Sequence, residues 1–176
     1  VEATEISNVL VTHSHSDHIL RLPVLVKNGY NNPIFCTPKC KKSIIISLED
    51  SLKIMQSDLD KYGKPMLFTQ NDLERTIPLL TGIEYNLPTH ISKGVKVTFL
   101  GNGHLFGAAC ILLQITCKKY KDKNILLTGD YYPTNDLFDV LPIPEWVKKL
   151  NELNIVMEST HGNTSISDIK ENLDIY

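Results

Sequence analysis

Apolar positions recur along the chain with two spacings, every second residue and every third or fourth residue, which predicts a mixture of strands and helices. Residues 9–11 and 33–37 are short, mainly apolar runs, and each predicts a buried strand. Thr37 and Pro38 fit the N-cap and first position of a helix, and apolar residues then recur at helical spacing to about residues 62–63. The first third of the chain is therefore predicted to hold strands followed by a long helix.

The rest of the chain continues in an order that is not a simple repeat. The chain begins with strands accompanied by helices, continues with a run of strands and returns to strand and helix. This order predicts an α/β protein whose sheets are covered by helices, and not a Rossmann alternation. The charged stretch 118–123 predicts a hairpin loop, and a helix is predicted to begin near Ser167 in the polar tail. The remaining predicted elements are helices at 22–28, 70–80 and 144–153 and strands at 82–86, 95–100, 108–117, 124–128 and 154–157.

Length and composition are those of one globular domain. The chain has 176 residues, of which 42% are hydrophobic and 22% charged, which is enough for a sizeable core. The formal net charge is -2, so any nucleic acid would be held by a local basic patch or by parts outside this sequence. No apolar run approaches the ~18 residues of a membrane span, and no signal peptide is visible, so we expect no membrane partner.

The cysteines predict a reducing compartment. Cys36, Cys40, Cys110 and Cys117 are scattered along the chain and form no CxxC pair. We interpret them as reduced packing residues of a cytoplasmic protein. The alternative is a disulfide or a metal-binding role.

Three histidines and an aspartate, His13, His15, Asp17 and His18, follow the first predicted strand within six positions. Residues two apart in an extended segment point to the same side, so His13 and His15 can present two imidazoles to one ion. Asp17 and His18 are adjacent, which suits a second ion nearby better than the first, so the spacing predicts a pair of metal ions. The alternative is a histidine-rich surface turn without metal.

Three later polar residues, His104, Asp130 and Glu158, each follow the C-terminal end of a predicted strand. Such strand ends are favoured positions for functional sites in α/β proteins. His104 stands between Gly103 and Gly107, where the backbone can curve close to an ion, and Asp130 is the best candidate for a carboxylate that bridges two metals. Taken singly, each of the three could instead be a turn former or a helix cap.

A group of lysines and one isolated histidine have simpler interpretations. Lys39, Lys41 and Lys42 lie in the first turn of the long predicted helix, where the helix dipole disfavours cations. They could contact a phosphate backbone, or they could form a solvated helix end. His90 has no ligand spacing around it, so we predict an exposed loop residue.

The motifs resemble those of a known family. The sequence His-Ser-His-Ser-Asp-His at 13–18 matches the HxHxDH signature of the metallo-β-lactamase superfamily, and the resemblance covers roughly residues 7–165. His104 in Gly-His-Leu-Phe-Gly-Ala looks like the family's third-strand histidine, and Asp130 in Leu-Thr-Gly-Asp looks like its bridging aspartate. Glu-Ser-Thr-His-Gly at 158–162 resembles the Glu-Ser-Thr-Tyr-Gly motif of the β-CASP branch, which contains the cleavage and polyadenylation endonuclease and bacterial and archaeal RNA-processing relatives.

This resemblance implies a fold, an activity and a site. The fold would be part of an αβ/βα sandwich of mixed β-sheets flanked by helices. The activity would be that of a ribonuclease that hydrolyses RNA phosphodiester bonds with a metal-bridging hydroxide, with two Zn2+ ions in the complete enzyme. The implied catalytic residues are Asp17 and Glu158, of which Glu158 would help to hold a catalytic histidine. In the implied site His13, His15 and His104 bind the first zinc, Asp17 and His18 bind the second, and Asp130 bridges them.

Two residues depart from the family pattern: His161 replaces a tyrosine, and Asn102 stands where a small residue is common. The family's leading strands, its β-CASP insertion and its C-terminal histidines are not in this sequence. We therefore expect residues 1–176 to be a single metallo-β-lactamase-type domain, the N-terminal part of a larger cytoplasmic protein. RNA is the expected partner, with single-stranded DNA as a second one and a homodimer formed through other parts of the protein.

Two other functions stay open. The ligand set would also serve a hydrolase of the same superfamily that acts on a small ester, thioester or lactam, although the motif that begins at Glu158 argues against it. The second alternative is a non-catalytic scaffold subunit of an RNA-processing complex. The intact ligand set argues against that alternative, because a scaffold has no need of metal ligands.

Overall fold

Two β-sheets packed face to face form the centre of the protein. The structure, a computed structural model, describes residues 2–117 and 120–160. The first sheet consists of the parallel strands β1 (Val9–Leu10), β2 (Ile34–Cys36) and β3 (Leu80–Gly82), in that order. Its helices are α1 (Ser16–Ile19), α2 (Leu22–Lys27), α3 (Pro38–Tyr62) and α4 (Gln70–Thr76), with short 3-10 turns at Ala3–Glu5 and Ile77–Leu79.

The second sheet is larger and mixed. Its strands are β4 (Thr89–Ser92), β5 (Val95–Gly101), β6 (Ala109–Cys117), β7 (Tyr120–Leu127) and β8 (Leu153–Val156), in that order. Neighbouring strands from β4 to β7 are antiparallel, whereas β8 is parallel to β7. A short helix, α5 (Glu145–Lys148), lies in the connection between β7 and β8.

Three apolar clusters show how the layers stack. The first lies between the helices and the first sheet and contains Ile34 of β2, and the second lies between the two sheets and contains Phe35 and Phe99. The third contains Leu100 of β5 and Val147 of α5. Consecutive strand residues face opposite sides, which is why neighbours on β2 and on β5 join different clusters. The layers therefore run helix, sheet, sheet, helix, which confirms the predicted α/β fold with sheets covered by helices.

The long helix α3 begins and ends where the sequence predicts. Thr37 Oγ1 accepts a hydrogen bond from Cys40 N at 3.1 Å, and Pro38 occupies the first turn. At the other end Gly63 adopts a φ of 66°, and its N–H donates to Leu59 O at 2.9 Å. The helix predicted at 22–28 is confirmed as α2.

The helix predicted at 70–80 is shorter than expected. It begins with a capping box, in which Asp72 N donates to Thr69 Oγ1 and Thr69 N donates to Asp72 Oδ2 at 3.3 and 2.9 Å. It ends at Thr76, and Pro78, which has no N–H to donate, lies in the 3-10 turn that leads directly into β3. The last four of the eleven residues expected in the helix therefore form the approach to a strand and its first residue.

Two predictions between β3 and β5 are wrong. The strand predicted at 82–86 is absent from the described residues; Tyr85 forms an isolated bridge with Phe99 instead. The loop predicted around His90 is strand β4, in which His90 pairs with Lys96 and stays exposed, as predicted for its side chain. An edge strand is paired on one side only and tolerates polar residues, so β4 carries too little apolar pattern to be recognised.

The charged segment between β6 and β7 was expected to be a hairpin loop, but part of it is strand. β7 begins at Tyr120, and Lys123 pairs with Ile115 of β6. Ladder hydrogen bonds use backbone groups, so charged side chains do not by themselves end a strand. Residues 118–119, His161 and the helix start predicted at Ser167 lie outside the described residues.

The helix predicted at 144–153 is a single turn, and one of its predicted inward residues is wrong. Val147 exposes 3% of its surface, whereas Trp146, also predicted to face inward, exposes 36%. Consecutive helical residues are about 100° apart around the axis, so Trp146 and Val147 point in different directions, and here Val147 is the one that faces inward. Val147 packs on the second sheet together with the partly buried Leu150.

The cysteines were predicted to be reduced packing residues. Cys36, Cys40 and Cys110 are buried free thiols, which confirms their role as packing residues, and burial raises the pKa of Cys110 to about 11. The side chain of Cys117 lies outside the described part of the chain.

Within residues 2–117 and 120–160, no helix has the length and apolar character needed to cross a membrane.

Candidate metal centre

Strands from both sheets end at one edge of the molecule, and the candidate ligands follow them. A backbone hydrogen bond from Ala109 N to Thr12 O, 2.8 Å long, joins the two sheets at this edge. The candidate ligands here are His13 and His15 after β1, His104 after β5 and Asp130 after β7. Stacking of the two sheets thus brings together residues that are far apart in the sequence.

The side chains of four residues converge: His13, His15, His104 and Asp130. Each offers one potential ligand atom, and these four atoms all lie within 4.8 Å of one another. His15 Nδ1 is 3.2 Å from His13 Nε2 and 3.1 Å from His104 Nε2. Asp130 Oδ2 is 3.6 Å from the Nε2 atoms of both His13 and His104. Ligands about 2.1 Å from one tetrahedral ion lie about 3.4 Å apart, so these four separations of 3.1–3.6 Å are those of neighbouring ligands on one ion.

The other oxygen of Asp130 faces the second half of the sequence cluster. His18 Nε2 lies 3.4 Å from Asp130 Oδ1 and 3.6 Å from Asp17 Oδ2. The side chain of Asp17 is 76% exposed and stands outside the four-residue group, next to His18. Asp130 therefore lies between the two sets of ligands implied by the sequence, which is the position that a bridging carboxylate requires. That these residues bind metal stays a prediction.

The buried histidine of the site is held in its neutral form. Burial is the main cause that lowers the pKa of His13 to about 4, and the neighbouring His18 lowers it further. Burial and then His15 also lower the pKa of His104. The Nδ1 atom of His13 lies 3.0 Å from Thr12 Oγ1, which orients the ring with Nε2 toward the other ligands. Neutral imidazole is the form that binds metal, so the site is prepared for an ion near pH 7.

Known proteins related to this chain match it over most of its length. The chain is 31% identical over 162 residues to the transcription termination factor FttA of Methanosarcina mazei, in an alignment that covers 92% of this chain and 24% of FttA. It is 31% identical over 156 residues to the endoribonuclease ysh1 of Aspergillus fumigatus, with coverages of 88% and 17%. The chain thus spans about a quarter or less of the length of these relatives. No family model matches it.

The fold also has a counterpart among solved structures. The Rm3 metallo-β-lactamase superposes with a TM-score of 0.51 over 98% of this chain and 64% of that one, at 12% sequence identity. At this identity the likeness concerns the fold alone. The two relatives and this fold support the metallo-β-lactamase superfamily, and its β-CASP branch, for this chain. The resemblance found in the sequence motifs, and the expected αβ/βα arrangement, are therefore confirmed.

Two glycines allow the loops that carry the candidate ligands to approach their neighbours. Gly107, in the connection from β5 to β6, has a φ of 92°, and a Cβ there would lie 2.5 Å from Cys40 N of α3. Gly129, just before Asp130, has a φ of 58°, and a Cβ there would lie 2.7 Å from Thr12 Cβ. Any other residue at either position would be strained and would displace a ligand loop.

Glu158, the residue of the β-CASP motif, holds the turn that follows Asp130. Its Oε1 accepts a hydrogen bond from Tyr131 N at 2.6 Å. Hydrogen bonds from Thr160, followed by that of Tyr131, lower the pKa of Glu158, so the carboxylate is ionised near neutral pH. Its hydrogen-bond partners among the described residues are thus Tyr131 and Thr160, and the implied contact with a catalytic histidine stays a prediction.

The three lysines at the start of α3 have different surroundings. Lys41 Nζ donates to Leu80 O at 2.6 Å, so this side chain fastens α3 to β3. Lys42 is exposed. Lys39 is also exposed, and its Nζ lies 4.6 Å from the ring centroid of Phe106, two residues after the ligand His104. One of the three lysines is therefore structural, and another places a cation over a ring two residues from the candidate ligand His104.

One residue next to the site has contacts that the sequence did not predict. Asn102, which departs from the family pattern, is 3% exposed and hydrogen bonded to both ligand loops. In the sequence, Asn102 is noticeable only as an amide between two glycines just before His104. Its burial depends on the loop that contains Tyr132, 30 residues later.

Proposed function

We propose that this chain carries the metal centre of a zinc-dependent ribonuclease that hydrolyses RNA phosphodiester bonds. The observation that carries the proposal is the convergence of His13, His15, His104 and Asp130 on one volume, with His18 on the far oxygen of Asp130. The similarity to two relatives, an endoribonuclease and a transcription termination factor, supports an RNA substrate. The β-CASP motif at Glu158 supports it as well.

Zinc fits the donor set. Imidazole nitrogen and carboxylate oxygen are zinc ligands, and the 3.1–3.6 Å separations match a tetrahedral site. We assign the first ion to His13, His15 and His104 and the second to Asp17 and His18, with Asp130 between them. Bound zinc would supply the Lewis acidity that phosphodiester hydrolysis requires.

The chain's own residues prepare this chemistry. Burial keeps the His13 imidazole neutral, so that a lone pair is available without loss of a proton. Glu158 fixes the backbone of the turn that carries Asp130 through its bond to Tyr131 N. Lys39 is an exposed cation beside the site and supplies the local positive charge that the overall charge of -2 does not provide for a phosphate backbone.

The remaining parts of the proposal concern the protein beyond this chain. We propose that residues 1–176 form the N-terminal metallo-β-lactamase-type domain of a larger cytoplasmic protein, and that full activity needs the whole protein. This agrees with relatives of which the chain spans 24% and 17%. Single-stranded DNA as a second substrate and a homodimer formed through other parts belong to the same proposal.

The test uses the full-length protein and its His15→Ala variant. His15 is exposed, so the variant should fold, and loss of a first-ion ligand should weaken zinc binding more than ~100-fold, since even residues that only support ligands cost ~10–100-fold. RNA cleavage should fall in parallel. Zinc content is measured by native mass spectrometry and cleavage with labelled RNA. His90→Ala, an exposed histidine on β4, is the matched control and should leave both unchanged.

Each alternative function has its own outcome in this experiment. Turnover of a small ester, thioester or lactam without cleavage of RNA would identify another hydrolase of the superfamily. Purified protein without zinc and without hydrolysis would identify a scaffold subunit. Undiminished RNA cleavage by the His15→Ala variant would remove the proposed metal centre from the reaction.

A further inference from the structure

Asn102 is a buried amide at the point where β5 ends and the loop of His104 begins. It exposes 3% of its surface, and glycines flank it on both sides. A buried amide side chain is retained only where its hydrogen bonds are satisfied, because an unpaired polar group away from water costs free energy. The hydrogen-bond partners of Asn102 therefore indicate its structural role.

All four hydrogen-bonding positions of the Asn102 amide are used. Oδ1 accepts from His104 N at 2.9 Å and from Tyr132 N at 3.2 Å. Nδ2 donates to Thr128 O at 3.1 Å and to Asp130 O at 2.8 Å. An amide has two donor hydrogens and an oxygen that accepts two bonds, so no capacity is left over. One partner belongs to the His104 loop, and the other three belong to the chain around Asp130.

The sheet itself cannot make this connection. β6 lies between β5 and β7, so ladder hydrogen bonds join each of them to β6 and not to one another. β6 begins only at Ala109, after the connection that carries His104. At the edge where His104 and Asp130 emerge, Asn102 thus links the ends of two strands that are not neighbours.

The two loops are also pressed together beside Asn102. Gly103 N donates to Tyr132 O at 2.8 Å, and Asn135 Nδ2 donates to Gly103 O at 2.8 Å. A Cβ at Gly103 would lie 2.2 Å from Thr134 O. Glu158 holds the same turn from its other side through Tyr131 N. The backbone after Asp130 is therefore fixed between two side chains, of which Asn102 alone reaches the His104 loop as well.

We propose that Asn102 is a positioning residue that sets the separation of the His104 and Asp130 ligand atoms, so that both meet one metal ion. The inference rests on the proposed metal centre. Asn102 touches neither ligand side chain and acts through the backbone of both loops. Aspartate would place an oxygen against the carbonyls of Thr128 and Asp130, and alanine would leave all four partner groups unpaired.

The experiment compares zinc binding by the full-length protein with that of its Asn102→Ala and Asn102→Asp variants. Zinc affinity is measured by competition with a chromophoric chelator. Both variants should bind zinc at least tenfold more weakly, as residues that orient metal ligands do. Amide proton shifts of His104 and Tyr132 report the geometry separately: Asn102→Ala should move both, whereas Asn102→Asp keeps an acceptor and should move them less.

The matched control is Thr76→Val. Thr76 is fully buried, and its Oγ1 donates to Asp72 O at 2.7 Å in α4, on the helical layer away from the metal centre. The variant loses a buried side-chain hydrogen bond, so it should lower the melting temperature without changing zinc affinity. A loss of stability alone is thereby separated from a loss of ligand positioning.

Zinc affinity within twofold of the wild type in either folded Asn102 variant would overturn the inference, and so would an equal loss in the Thr76→Val control. Failure of the proposed function gives a different result: the wild type binds zinc, the Asn102 variants bind it more weakly, and RNA is not cleaved. A wild type that binds no zinc overturns both before any variant is made.

Discussion

Burial distinguishes His13 from a surface histidine such as His90. His13 exposes 1% of its surface, whereas His90 is exposed on the edge strand β4. Desolvation penalises the charged imidazolium, so at pH 7 His13 is neutral and a metal ion does not compete with a proton for its lone pair. The same residue type thus has different chemistry at the two positions because of the packing around it.

Asp17 is the residue that tests the second ion. Its side chain is 76% exposed and lies 3.6 Å from His18 Nε2, so Asp17→Ala should fold normally, with a stability change within about 0.5 kcal/mol. In the full-length protein the variant should bind one zinc ion in place of two, measured by native mass spectrometry. Asp58→Ala, another surface aspartate, paired with Lys64 at 3.2 Å, is the control. Retention of two ions at wild-type affinity by Asp17→Ala would contradict the assignment.

At the scale of elements, the N-terminus of α3 has a second task. Thr37 caps the helix through Cys40 N, and its hydroxyl also donates to Gly107 O at 2.7 Å, in the loop that carries His104. Both groups are buried. The start of α3 therefore fixes its own first turn and, at the same time, one side of the metal centre.

This double task predicts a large effect of Thr37→Ala. Loss of an N-cap costs about 1 kcal/mol, and an unpaired buried carbonyl costs about 1–3 kcal/mol more, so the free energy of unfolding should fall by about 2–4 kcal/mol. Thr69→Ala removes a threonine N-cap at α4, together with its hydroxyl bond to Asp72 Oδ2, away from the ligand loops and should cost about 1–2 kcal/mol. Urea unfolding compares the two variants. Equal losses would show that the bond to Gly107 contributes nothing.

The capping box of α4 predicts a dependence of stability on pH. The backbone N–H of Thr69, followed by its hydroxyl, lowers the pKa of Asp72 below its ordinary value of 3.8. A lowered pKa means that the folded state favours the carboxylate, so this stabilisation is complete above 3.8 and is lost as the pH falls through the lowered value. Asp72→Asn should be less stable than the wild type at neutral pH, and the difference should shrink in acid. Urea unfolding measured along a pH series would contradict this if the difference stayed constant.

At the scale of the whole molecule, the candidate metal centre spans the two sheets. His13 and His15 follow a strand of the first sheet, and His104 and Asp130 follow strands of the second. Phe35 and Phe99 pack between the sheets and set their distance. An ion held by all four ligands would therefore tie the two sheets together at this edge, in addition to any part in catalysis.

Metal removal should for that reason lower stability. Treatment of the full-length protein with a chelator should lower the melting temperature, and zinc at about a thousand times its Kd should restore about 4 kcal/mol. The His15→Ala variant should respond much less to both treatments, because the loss of one of the two first-sheet ligands weakens zinc binding. Differential scanning calorimetry provides the measurement. A wild-type transition that is the same with and without zinc would show that the ion does not hold the sheets together.

The sequence by itself determined the features that depend on near neighbours. The caps at Thr37 and Gly63 and the helical spacing between them predicted α3 to within a residue. Local spacing was also enough to group His13, His15, Asp17 and His18, since residues this close cannot separate far. It failed where the apolar pattern is weak or ambiguous: the polar strand β4 was missed, and Trp146 was predicted to face inward in a turn whose buried residue is Val147.

Only the tertiary structure decided which distant groups meet. No local rule places His104 Nε2 3.1 Å from His15 Nδ1 across 89 residues, or joins Asn102 to Asp130 O across 28. These contacts follow from the stacking of two sheets and from the position of β6 between β5 and β7. The physical reason is that short-range periodicity and hydrogen bonding are written into adjacent residues, whereas the convergence of ligands is the result of packing apolar faces that lie far apart along the chain.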